Sequence, residues 1–82
     1  MQADNNVEMI RQIVAEVLEV APEQVQGGTH FILDLNADSL RIIEILARLE
    51  GEFNVVIDQS ALASMVTLDA VCEVARTAQM GA

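Results

Sequence analysis

The chain has 82 residues, 52% of them hydrophobic and 21% charged, which is enough apolar material for one small folded domain over residues 1–82 and too little for two. Thirteen acids against four arginines and no lysine give a net charge of -9, which argues against nucleic acid or an anionic membrane and for partners with basic patches. Two phenylalanines are the only aromatics, so base-stacking platforms and aromatic cages are excluded.

One cysteine, Cys72, rules out an internal disulfide, and with a single histidine it leaves no set of four ligands for structural zinc. The opening Met1-Gln2-Ala3-Asp4-Asn5-Asn6 has neither a basic nor an apolar region, so no signal peptide is expected there. No apolar run exceeds three residues, far short of a membrane span. The expectation is a cytoplasmic monomer without membrane insertion.

Residues 7–20 predict an amphipathic helix, with Val7, Ile10, Val14, Val17 and Leu18 at helical spacing and Asn5 or Asn6 as its N-cap. Pro22 pushes Ala21 out of the helical region and ends it. Residues 22–36 contain Gly27-Gly28 and hold no sustained period, so they predict an ordered loop anchored by Val25, Phe31, Ile32 and Leu35. Residues 38–50 predict the strongest helix. Its stripe is Leu40, Ile43, Leu46 and Leu49, widened by Ile42 and Ile45, with Arg41, Glu44 and Arg48 opposite. Asp38 is its N-cap, and Gly51 its expected C-terminal stop.

Phe53 to Ile57 has strand-like composition but no partner strand, so it reads as an extended connector. Residues 60–65 predict a short helical turn. Thr67 caps a last helix over residues 68–78, with Leu68, Val71, Cys72 and Ala75 inward. The fold class is therefore all-α, a small four-helix bundle of three long helices plus one short one.

Asp34-Leu35-Asn36-Ala37-Asp38-Ser39-Leu40 places a serine hydroxyl at the first turn of the strongest helix. Free backbone N–H groups and the positive end of the helix dipole meet there, so a phosphate ester on Ser39 is well placed. Asp38 and Ser39 alone would do no more than start a helix. With its flanks, however, the segment resembles the modification site and second helix of acyl carrier proteins, whose signature is Asp-Leu-Gly-Ala-Asp-Ser-Leu. Residues 25–31, 53–57 and 66–71 are similar to that family's preceding loop, connector and last helix.

The resemblance implies a helical carrier, not an enzyme. Its Ser39 would receive 4'-phosphopantetheine from coenzyme A, with Asp38 helping a phosphopantetheinyl transferase to engage it. Acyl groups would ride on the arm's thiol as thioesters, for fatty acid or polyketide-type biosynthesis. Acyl-transfer and condensing enzymes with basic docking patches are the implied partners. A peptidyl or aminoacyl carrier shares this fold and chemistry.

Several residues depart from the family pattern. Asn36 replaces a glycine but tolerates positive φ. Arg41 stands where an acid is common, Gly51 replaces a glutamate and Asp58 a proline. Arg41, Glu44, Arg48 and Glu50 are therefore expected to give the Ser39 helix a mixed recognition face.

Rival readings fare worse. Asp34, Asn36 and Asp38 match the start of a calcium loop, but Ser39 and Ile45 occupy the positions that need glycine and glutamate. A triad built on Ser39 and His30 lacks room for a substrate cleft, and His30 reads as an ordinary loop residue. Cys72 and Met65 read as apolar filler. A helical adaptor that leaves Ser39 unmodified is the second functional class.

Overall fold

The structure is a computed structural model that describes residues 2–81, with side chains described for residues 6–79. Three long helices enclose the core: α1 (Gln2–Leu18), α3 (Ser39–Phe53) and α4 (Leu68–Gly81). A five-residue helix, α2 (Phe31–Leu35), precedes α3, and 3₁₀ turns cover Pro22–Gln24 and Gln59–Ser64. Among the described residues there is no strand, only an isolated bridge between His30 and Thr67. The all-α expectation holds.

The core is apolar throughout. Val14 of α1, Val25 and Phe31 of the connecting segment, Ile45 and Leu49 of α3, Met65, and Leu68 and Val71 of α4 are all sealed from solvent. Burying side chains of this size returns about 1.5–3 kcal/mol each, which is how one small core holds three helices together. No described side-chain polar atom is buried without a partner.

Each helix end differs informatively from its expectation or matches it. Asn5 and Asn6 do not cap α1, because the helix already runs from Gln2. Once nucleated, a helix extends through such polar residues for a few tenths of a kcal/mol each, with no glycine or proline to stop it. At the other end α1 stops at Leu18, before Pro22. Glu19 is left-handed (φ 59°), Glu19 N–H donates to Glu16 O at 3.3 Å and Val20 N–H to Ala15 O at 3.0 Å. These bonds close the helix in a Schellman turn. Pro22 instead opens the 3₁₀ turn, where its missing N–H is harmless.

Gly51 is not the stop of α3. The helix runs through it to Phe53, and Asn54 provides the left-handed cap (φ 56°). Asp38 and Thr67 cap as expected. Asp38 Oδ1 accepts from Arg41 N–H at 3.1 Å, and Thr67 Oγ1 from Ala70 N–H at 3.2 Å.

The inward face of α3 is Ile42, Ile45, Leu46 and Leu49, whereas Leu40 and Ile43 are 73% and 46% exposed. The expected stripe was therefore rotated. Six aliphatic residues within ten positions surround most of this helix, so spacing alone cannot select the buried side.

Candidate functional site: the turn that presents Ser39

Residues 27–31 are fastened to the start of α4. Asp69 N–H donates to Gly27 O at 3.1 Å and Phe31 N–H to Val66 O at 2.7 Å. Gly27 permits this approach, since a Cβ there would lie 2.8 Å from Asp69 Oδ1. Phe31 fills the core, and α2 begins on it.

Sequence reasoning missed α2, which has a reciprocal cap. His30 Nδ1 accepts from Leu33 N–H at 3.1 Å, while Asp34 Oδ2 accepts from His30 N–H at 2.9 Å. Asn36 then turns left-handed (φ 62°), and its N–H reaches the carbonyls of Ile32 and Phe31. Ala37 N–H returns to Phe31 O at 2.9 Å. The segment thus closes on itself and delivers Asp38 and Ser39 at the start of α3. A family glycine is replaced here by asparagine, which after glycine best tolerates such a φ.

Ser39 is exposed on the first turn of α3. Among the described residues its Oγ makes no hydrogen bond, so the hydroxyl is free to react. First-turn N–H groups have no intrahelical acceptor, and the dipole places partial positive charge beside them. An anionic ester is stabilised at such a point. The residues therefore fit a phosphopantetheine group attached through Ser39. The other two serines do not have this setting. Ser64 Oγ donates to Ala61 O at 3.0 Å, and Ser60 sits inside a 3₁₀ turn whose start is capped by Asp58.

The charged residues of the Ser39 helix are bound largely within the chain. Arg41 is half-buried; its Nη1 donates to Val17 O at 2.7 Å, and its Nη2 lies 3.5 Å from Glu19 Oε2. The same guanidinium lies 3.9 Å from Glu44. Arg48 Nη2 donates to Glu16 Oε1 at 2.6 Å. Glu50 is half-buried and accepts from Ile57 N–H at 2.8 Å, fixing the connector after α3. Of the four, Glu44 is the charge most open to solvent.

Cys72 is half-buried. With Val7, Ile10 and Ala75 it lines a groove of about 510 Å³ between α1 and α4. Burial and then the nearby Asp69 push its thiol pKa up, which keeps it protonated and unreactive. Met65 is core. No cluster of three or more metal-ligating side chains occurs among the described residues.

Comparison with known proteins agrees with this geometry. The family model for the phosphopantetheine attachment site matches residues 8–75. Polyketide-8 synthase acyl carrier protein 1 of Streptomyces avermitilis is 45% identical over 62 residues, which cover 76% of this chain and 74% of that one. The acyl carrier protein of Shigella flexneri is 44% identical over 61 residues, 74% of this chain and 78% of that one. A chain in the solved structure of the ishigamide ketosynthase/chain length factor superposes with a TM-score of 0.74 at 38% identity, covering 88% of this chain and 90% of that chain. This chain belongs to the phosphopantetheine attachment family and is a carrier of the acyl carrier protein type, with covalent 4'-phosphopantetheine as its cofactor.

Proposed function

We propose that Ser39 carries the arm and that this chain works as one non-catalytic carrier domain. The observation that carries the reading is the exposed, unbonded hydroxyl of Ser39 on the first turn of α3. On loading, Ser39 Oγ forms a bond to the phosphorus bearing the pantetheine portion of coenzyme A. The pyrophosphate P–O bond breaks, the leaving nucleotide keeps the electron pair, and the serine proton passes to a base of the transferase. Asp38 holds the N–H of Arg41, fixing the turn, and leaves the N–H groups of Ser39 and Leu40 to face the ester.

The bound arm supplies the thiol that carries acyl groups; the protein supplies anchorage and a recognisable surface. Any enzyme acting on the arm must approach the N-terminal half of α3. There Leu40 and Ile43 offer apolar contact and Glu44 an outward charge, while Arg41, Arg48 and Glu50 shape the face through their internal partners. The partners we infer are a phosphopantetheinyl transferase, then acyl-transfer and condensing enzymes of fatty acid or polyketide-type synthesis. A monomer in the cytoplasm is consistent with this role, and no helix among the described residues is long and apolar enough to cross a membrane.

The test is intact mass after incubation with coenzyme A and a phosphopantetheinyl transferase. The wild type should gain one arm and Ser39→Ala none, at the same helical content. Loading of the alanine variant would reject the assignment.

A further inference from the structure

Leu33 stands 79% exposed on α2, in a run Phe31-Ile32-Leu33 of which only Phe31 is buried. Leaving a leucine in water forgoes the stabilisation that burial would return. A single exposed leucine is common on protein surfaces and proves nothing by itself. Rigidity and position give this one meaning.

Leu33 does not ride on a loose loop. Its own N–H is held by His30 Nδ1, the turn is closed by Asp34 and Asn36, and Phe31 is locked in the core. A side chain on so constrained a backbone loses little freedom when it is covered. The neighbouring charged groups are also engaged: Asp34 with His30 N–H, Asp38 with Arg41 N–H, and Arg41 with Val17 O.

Position follows from the chain path. Leu33 to Asn36 is one helical turn, spanning only ~5 Å, and the three residues on to Ser39 add at most ~11 Å, so Leu33 lies within ~16 Å of Ser39. A partner of ordinary footprint buries about 800 Å² on each side, a patch roughly 30 Å across. An enzyme centred on Ser39 therefore covers Leu33 as well as α3.

We propose that Leu33 is a specificity-determining contact for the transferase that loads Ser39. That enzyme seats on two elements, α3 and the short α2, and the one that fits has an apolar socket opposite Leu33. This inference rests on Ser39 as the attachment residue.

The experiment measures loading rates from coenzyme A by a phosphopantetheinyl transferase, using the whole chain at varied carrier concentration. Leu33→Asp should raise KM about tenfold with kcat within about twofold of wild type. Leu33→Met should stay within about threefold, because it keeps an apolar side chain of similar volume. Glu52→Lys, about 20 Å further along α3, should change KM less than about twofold. Circular dichroism melts check that Leu33→Asp remains folded, and Leu33→Ala, which adds no charge, should raise KM in the same direction. A Leu33→Asp KM within about twofold of wild type, with loading confined to Ser39, overturns this inference alone. Loading of Ser39→Ala overturns the attachment reading and this inference together.

Discussion

The Arg41 guanidinium donates to the carbonyl of Val17 at 2.7 Å, joining two residues 24 positions apart. Val17 lies in the last turn of α1, whose carbonyls lack intrahelical partners and carry the negative end of the dipole. Arg41 satisfies one of them from the first turn of α3, two residues beyond Ser39, and also faces Glu19 in its left-handed position. It therefore acts as a brace beneath the attachment turn.

Arg41→Met should consequently cost stability, by about 1 kcal/mol once solvent screening of a 40%-exposed side chain is allowed for. Arg41→Asp should cost more, since it would put a third carboxylate beside Glu19 and Glu44. Urea unfolding measures both. An Arg41→Met variant as stable as wild type would show that the brace contributes nothing.

Gly51 gives a test of opposite sign. It lies inside α3 with no positive φ, and a Cβ there would meet nothing within 4 Å. Gly51→Ala should stabilise the protein by about 0.5–1 kcal/mol through helix propensity. Were Gly51 the left-handed terminator that its sequence position suggests, alanine would destabilise instead.

That contrast shows where the sequence was readable. Asp38 and Thr67 are strong caps in isolation, so their roles follow from local chemistry. Gly51 and Asn54 compete to end the same helix, and the outcome depends on how Val55 and Ile57 pack and how Glu50 holds Ile57 N–H. The helix α2 was hidden for a different reason: five residues are too few to establish a period, and its cap is a histidine. The serine site was legible because it is a short local motif. The internal partners of Arg41 and Arg48 were not, because those contacts span 24 and 32 residues.

Acid should act partly through Asp58. Hydrogen bonds from Ser60 hold its carboxyl below the ordinary carboxylate range. A carboxyl depressed in the folded state adds stability that is complete above its unfolded pKa and is lost as pH falls through the folded one. Asp58→Asn should therefore flatten the acid limb of a stability-against-pH curve and leave the shape of the neutral region alone. An unchanged acid limb would remove Asp58 from the account.

Salt should raise the melting temperature. The four arginines each lie within 4 Å of a carboxylate, yet 13 acids share them. Screening the remaining repulsion should stabilise the compact state between about 0.01 and 0.15 M ionic strength, where the Debye length falls from about 30 to 8 Å. A flat or falling melting temperature over that range would contradict net repulsion.

The most direct test of the central claim is to locate the arm on the peptide. After loading from coenzyme A, the protein is digested and the modified peptide fragmented in a mass spectrometer. The account predicts that all of the phosphopantetheine mass sits on Ser39, with Ser60 and Ser64 unmodified. Arm mass on either of those serines, or on a peptide lacking Ser39, would contradict it.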